Sequence, residues 1–379
     1  MNLAFAGFLP PRSANPEERT FVELLSSYFT RTVFFQGIGV KGLTRRSLGS
    51  LLSRLARKNL PVSTGLETRL LPVLPMRTGV AARISAGMIR QRLTQLTESA
   101  FDQWSFWTRY PSPELVQAIR DLPFRKLVYE PVDNYAVEPV LTIDERRRLE
   151  NAESELVSRA IVVTASGGLA RRFHSAPHGC RWLPIGHDAR VKAAPPPAIV
   201  NTVPRPRLGV TGSLDELADE NILARVARSR PEWNLLLAGP RASRWGRSLD
   251  GLANVHWLGQ LPQAEARGVI QACDVALNPC VNNEWTENAM PVKIFDYLAE
   301  GRPIVSTHMS ELDVFGDLVI QASPAEFVQA IARAMTINDA QVTARRIETA
   351  SRFIQQERAR RAFELLTETP VEALGQRPA

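Results

Sequence analysis

The chain has 379 residues, 44% of them hydrophobic and 22% charged, with a formal net charge of +7. That length is long for one core and ordinary for two, and the composition excludes a disordered chain. No run of about 20 apolar residues occurs, which excludes a membrane-spanning helix; Cys180, Cys273 and Cys280, odd in number and without C-x-x-C spacing, exclude a zinc ribbon or a disulfide framework and point to a cytoplasmic protein.

The N-terminus, Met1 to Phe8, lacks the positive region of a secretory signal and reads as a first buried strand. Glu17 to Phe29 reads as a helix begun at Pro16, and Thr32 to Gln36 as a second strand. The positive charge is concentrated downstream. From Lys41 to Arg92 there are eleven Lys or Arg against the single acid Glu67, so this segment carries +10 and the rest of the chain −3. Within it, Leu48, Leu51, Leu52 and Leu55 mark one face of a helix, with Arg45, Arg54, Arg57 and Lys58 toward the others. Met88, Ile89, Leu93 and Leu96 mark a second helix, which also carries Arg83, Arg90 and Arg92. Basic amphipathic helices suit an anionic membrane surface, each cation contributing about 1 kcal/mol near it; equally, the leucines can pack on a sheet and leave the arginines solvated. No zinc finger, RNP-like or aromatic-interleaved motif accompanies the charge, so nucleic acid is not an expected partner.

Leu70 to Leu74 and Phe101 to Trp107 read as strands, Pro113 to Ile119 as a helix, and Lys126 to Glu130 as a strand leading into Pro131-Val132-Asp133-Asn134. Ligands gather at strand carboxyl ends in open α/β sheets, so Asp133 is a candidate general base, able to take a proton from an attacking hydroxyl. The alternative is an Asp that caps the following helix. That helix is expected over Glu145 to Arg159, followed by the strand Ala160 to Thr164. Ser166-Gly167-Gly168 then enters a helix without G-x-G-x-x-G or P-loop spacing. Ala193 to Pro206, AAPPPAIVNTVPRP, reads as a stiff linker between a first domain, 1–192, and a second, 207–340.

The second domain alternates short buried strands with helices, the pattern of a parallel, doubly wound sheet. Arg207 to Ser213 is a strand entering a turn, Leu214 to Ala227 a helix, Trp233 to Ala238 and Val255 to Leu258 strands, Gln263 to Ala272 a helix, and Asp274 to Asn278 a buried strand. Pro291 suits the first position of the next helix, whose apolar face is Met290, Ile294, Tyr297 and Leu298. Lys293 in its first turn adds a charge where a helix start favours an anion, and Asp296 lies three residues on. Spacing alone permits a phosphate-and-sugar site or an ordinary solvated helix face. A helical tail, 341–379, follows, with Thr369 to Ala379 expected to fray.

The segment Pro291 to Val305, P-x-K-x-F-D-Y-L-A-x-G-x-P-I-V, resembles the donor-site signature of "group 1" glycosyltransferases of the GT-B fold, especially bacterial polysaccharide enzymes. The resemblance implies two Rossmann-like domains facing across a cleft, with a C-terminal helix crossing back to the first. It implies a sugar transfer from a nucleotide-sugar donor to a saccharide or lipid-linked saccharide acceptor at the inner membrane face, in surface or exopolysaccharide synthesis. It places Lys293 and Pro291 at the diphosphate, Asp296 at the ribose, and Gly212, Ser213 and Arg241 in the donor loops. Asn288 stands where many members carry the first Glu of an E-x7-E pair; it can bond a sugar hydroxyl but brings no negative charge. The sequence has no D-x-D motif, so neither a metal nor another cofactor is expected, the helix dipole and cations meeting the leaving-group charge. Two other classes fit the same fold: a non-catalytic paralogue that binds a partner or the membrane, and a nucleotide-sugar epimerase or hydrolase.

Overall fold

The computed structural model describes residues 1–7, 16–39, 66–73, 79–137, 141–337 and 339–367. The expected helix around Leu48 to Leu55, with Arg45, Arg54, Arg57 and Lys58, lies outside the described residues, as does 369–379. The chain divides into two compact units, Met1–Pro184 with Gln355–Ala379, and Ile185–Ile354.

The first unit is built on a sheet of β1 (Asn2–Ala6), β2 (Arg31–Gly39), β3 (Leu66–Val73), β4 (Trp104–Thr108), β5 (Lys126–Tyr129), β6 (Ile161–Thr164) and β7 (Cys180–Trp182). Its order is β3-β2-β1-β4-β5-β6-β7, and every pairing is parallel. The second sheet holds β8 (Arg207–Thr211), β9 (Asn234–Ala238), β10 (Val255–Gly259), β11 (Val275–Asn278), β12 (Ile304–Thr307) and β13 (Val319–Ala322) in the order β10-β9-β8-β11-β12-β13, again all parallel. Both are Rossmann-like orders that reverse beside their first strand. The strands are apolar along their length because helices cover both faces: Leu208, Val210, Leu235, Leu237, Val275, Leu277 and Val305 are buried in one core cluster.

Several boundaries differ from the sequence reading. The helix expected from Leu214 begins only at Glu220, because the Asp219 carboxylate accepts from the backbone N–H groups of Asn221 (2.9 Å) and Ile222 (3.3 Å) and caps it there. Residues 193–206, expected as a stiff linker between the domains, belong to the second unit. Ala198–Thr202 is a short helix, Ala194 donates to the Ala264 carbonyl, and Val200 and Val203 are buried against Leu236 and Val269. The tail is two helices, Ala340–Ser351 in the second unit and Gln355–Thr367 in the first.

The last helix is fastened inside the first unit by four buried charges. Arg109, at the end of β4, donates from Nη1 to Glu17 (2.8 Å) and from Nε to Glu130 (2.8 Å). Arg358, on Gln355–Thr367, donates to Glu17 (2.5 Å) and to Glu130, while Trp107 Nε1 donates to Glu130 (2.7 Å) and Gln355 to Glu17 (3.0 Å). Burial alone raises the Glu17 pKa, but Arg109 and Arg358 outweigh it and hold the carboxyl at about 2 against an ordinary 4.5. The stabilisation from Glu17 is therefore complete above the ordinary carboxylate range and is lost as pH falls toward 2. Removing one cation strands a buried carboxylate: Arg358→Met should destabilise the protein by about 3–5 kcal/mol in urea unfolding. Arg352→Met, which removes an exposed pair with Glu348, should cost under about 0.5 kcal/mol; equal effects would remove the quartet as an anchor.

Candidate donor site

The second sheet reverses direction between β8 and β11, which puts Thr211-Gly212-Ser213 and Asn278-Pro279-Cys280 side by side at strand carboxyl ends. The turn after β8 is backbone-tight. Gly212 sits at φ +98°, Gly239 after β9 at φ +156°, and a Cβ on Gly239 would overlap the Gly212 carbonyl. Gly212 donates to the Ala238 carbonyl (3.0 Å) and Gly239 to the Gly259 carbonyl (2.8 Å), so neighbouring strand ends hold one another. Gly212 and Ser213 remain exposed.

The helix carrying the recognised signature is Lys293–Ala299. Pro291 stands ahead of it, not at its first position, and its carbonyl accepts from Ile294 (3.0 Å). Ile294, Phe295, Tyr297 and Leu298 are fully buried. Tyr297, which the sequence pattern marks only as an apolar-face residue, bolts the helix to the switch point. Its hydroxyl accepts from the Thr211 N–H (3.0 Å) and Oγ1 (3.2 Å) and donates to the Leu277 carbonyl (3.4 Å), linking β8 and β11. Lys293 thereby lies over the β8 turn, its Nζ 3.7 Å from where a Gly212 Cβ would stand. Any side chain at 212 would meet the ammonium.

Asp296 points elsewhere on the helix. Its Oδ1 is 4.0 Å from the Arg267 guanidinium of Gln263–Ala272, while Arg267 donates to Glu300 (2.6 Å) and to the Val191 carbonyl. The Asp296 carboxyl is hydrogen-bonded by the Gln263 side chain, while its Oδ1 is buried without a hydrogen-bond partner. Burial pushes the carboxyl up to about 6 from an ordinary 3.8, against the pull of Arg267. His187 is buried nearby in charge terms. Burial and Arg267 both push its pKa down, against a hydrogen bond with the Ala350 backbone.

The other expected residues fall into two groups. Asn288 ends the short helix Glu284–Glu287, its Nδ2 3.5 Å from the Glu284 carbonyl. Arg241 is engaged by its own loop: it donates to the Trp245 carbonyl (2.8 Å), pairs with Asp250 (2.9 Å) and lies 4.1 Å from the Trp257 ring. In the first unit, Asp133 is half-buried after β5. The helix that follows, Ile143–Val157, is capped by Thr142 in a box with Glu145, so Asp133 does not cap it. Asn134 accepts from Arg172.

Because Asp296 binds its proton more tightly in the folded chain, its ionisation costs stability as pH rises from about 4 to about 6, and the cost persists above. Asp296→Asn should therefore stabilise the protein, by on the order of 2 kcal/mol near neutral pH, with the gain shrinking as pH is lowered toward about 4. Urea unfolding at the two pH values checks it, and a pH-independent difference would contradict the buried-carboxylate account.

Comparison with known proteins fits this geometry. The family model described as glycosyl transferases group 1 matches residues 205–336, the segment that contains the whole β8–β13 sheet. A Bacillus subtilis (strain 168) protein described as a teichuronic acid biosynthesis glycosyltransferase is 22% identical over 223 residues, covering 54% of this chain and 55% of that protein. The match thus spans about half the length of that relative. Among solved structures, an Anabaena protein in complex with UDP and glucose aligns with TM-score 0.68 at 14% identity, over 97% of this chain and all of the other. Sucrose-phosphate synthase from Thermosynechococcus elongatus aligns with TM-score 0.72 at 16% identity, over 97% and 98% of the two chains. The second unit is thus similar to a group 1 glycosyl transferase domain over residues 205–336, in a chain whose two parallel-sheet, Rossmann-like units have the GT-B fold.

Proposed function

We propose that this protein is a glycosyltransferase that moves a sugar from a nucleotide-sugar donor to an acceptor hydroxyl. The observation that carries the reading is the helix Lys293–Ala299, which Tyr297 bolts to the strand carboxyl ends. It sets an ammonium over the Gly212 turn and, one turn on, a buried carboxylate oxygen without a hydrogen-bond partner. In this reading Lys293 and the exposed Gly212-Ser213 backbone take the diphosphate, and Asp296, ionised above about pH 6, accepts from a ribose hydroxyl. Asn288 and Pro291 border the donor, while Arg241 contributes by holding its loop.

Asp133 takes the proton of the acceptor hydroxyl as that oxygen attacks the anomeric carbon and the nucleoside diphosphate leaves. Lys293 offsets the charge that develops on the leaving phosphate, and no metal or other cofactor is invoked. The acceptor is proposed as a lipid-linked saccharide of a surface or extracellular polysaccharide; the Bacillus subtilis relative is described as acting in teichuronic acid biosynthesis.

Calorimetric titration with UDP and GDP, alongside a transfer assay run with and without chelator, tests this. Lys293→Ala should weaken nucleotide and donor alike by about tenfold or more, the loss of one charge-assisted contact. Asp133→Asn should lower turnover about a hundredfold with donor affinity retained. If the wild type binds no nucleotide, the reading fails in favour of the non-catalytic paralogue, and donor turnover without any acceptor favours the epimerase or hydrolase.

We further propose that the first unit works at an anionic membrane surface. No helix among the described residues is long and apolar enough to cross a membrane. The helix Gly79–Thr97 buries Ile89 and Leu93 but leaves Ile84 at 50% and Met88 at 37% exposure, one turn apart and beside exposed Arg83 and Arg92. Substituting Arg54, Arg57 and Lys58 with Gln should reduce sedimentation with anionic vesicles at low salt, since each cation contributes about 1 kcal/mol near such a surface. Unchanged sedimentation would return that segment to ordinary solvated charge.

A further inference from the structure

The first unit has a polar recess at the opposite edge of its sheet from the strand carboxyl ends. It measures about 300 Å³ and opens where β5 and β6 begin, among Phe124, Arg125, Lys126, Leu127, Arg159 and His178. Among the described residues, no acidic side chain lines it. Arg159 reaches it from the end of the helix Ile143–Val157. One guanidinium nitrogen, Nη2, donates to the Ile119 carbonyl (3.3 Å), whereas Nη1 is buried with no hydrogen-bond partner. A buried, charged donor without an acceptor costs free energy that an anion in the recess would recover. Lys126 reaches the Leu365 carbonyl (3.4 Å) from the same rim, and Arg125 and His178 are exposed on it. Three permanent cations, one orphaned donor and an apolar floor of Leu127 and Phe124 suit a phosphate group joined to a small organic body. The volume lies at the lower end of those that hold small ligands.

We propose that this recess binds the phosphate of a phosphorylated small molecule or lipid headgroup, at a site separate from the donor site. Arg159 Nη1 supplies the inner hydrogen bond and Arg125 and Lys126 the surrounding charge. Its lining residues all belong to the first unit, and its occupancy does not depend on the glycosyltransferase reading.

The test uses the full chain carrying Lys293→Ala, so that phosphate bound at the donor site does not confuse the measurement. Inorganic phosphate and glycerol phosphate are titrated calorimetrically, and sedimentation with phosphatidylglycerol vesicles is compared with that of phosphatidylcholine vesicles. Saturable binding is expected, weakened about tenfold or more by Arg159→Gln and, independently, by Arg125→Gln with Lys126→Gln, two changes at the recess rim that guard against a folding defect at Arg159. Loss confined to the free phosphates identifies a soluble ligand; loss confined to the anionic vesicles identifies a lipid headgroup. Absence of any saturable binding, or binding indifferent to both sets of substitutions, overturns the proposal.

Discussion

The buried square of Glu17, Arg109, Glu130 and Arg358 decides how the chain is laid out. Two carboxylates and two guanidiniums removed from water are tolerable only when every charge meets its opposite at hydrogen-bonding distance, and here each carboxylate meets both arginines. Three of the four groups come from the first unit's Met1–Pro184 segment, and the fourth from a helix that starts at Gln355. The last helix is therefore obliged to return to the first unit after the chain has completed the second. Apolar burial alone would leave its register loose; Ala359, Ala362 and Leu366 fit the cluster formed by Leu3, Phe21 and Leu25, but one bidentate arginine specifies which turn of the helix lies where.

The return has a consequence at the crossing. The outgoing and incoming strands run beside each other, His187 donating to the Phe353 carbonyl (3.0 Å) and pairing with Ile354, and a side chain at Gly186 would collide with the Phe353 backbone. Phe353 in turn packs on Phe295 of the signature helix and on Phe315. The residues that carry Lys293 and Asp296 are thus supported from beneath by the segment that leads back to the first unit. Support and site belong to one packing problem.

Much of this was legible because the strands are short apolar runs between strong punctuation. The strands β8, β9 and β11, the helix Gln263–Ala272 and the signature helix follow from periodicity and Pro or Gly boundaries, and the match to a donor signature assigned the fold. What sequence reasoning missed was long-range pairing of polar atoms. Tyr297 counts as apolar in any helical pattern, and only its three contacts to Thr211 and Leu277 reveal a bolt. Glu17, Arg109 and Arg358 are separated by up to 341 positions, so no local spacing joins them. The helix expected from Leu214 starts later for a local reason instead: the Asp219 carboxylate caps the helix at Glu220 and overrides the apolar run before it.

The same accounting of polar atoms separates charges that build from charges that bind. In sequence, Glu130 and Asp296 are alike: acids after a buried strand or in a helix, near a recognised motif. Glu130 accepts from Trp107, Arg109 and Arg358, so its lone pairs are committed to the fold. Asp296 has a hydrogen bond from the Gln263 side chain, but its Oδ1 lies 4.0 Å from Arg267, too far for a hydrogen bond, and that arginine is already committed to Glu300. A carboxylate held in a half-dry place, with its pKa driven up and one oxygen without a hydrogen bond, is kept at a cost in stability. Such a cost is reasonable where a ligand's hydroxyl supplies the missing donor, and that is the physical ground for preferring Asp296 to Glu130 as the acid that meets a substrate.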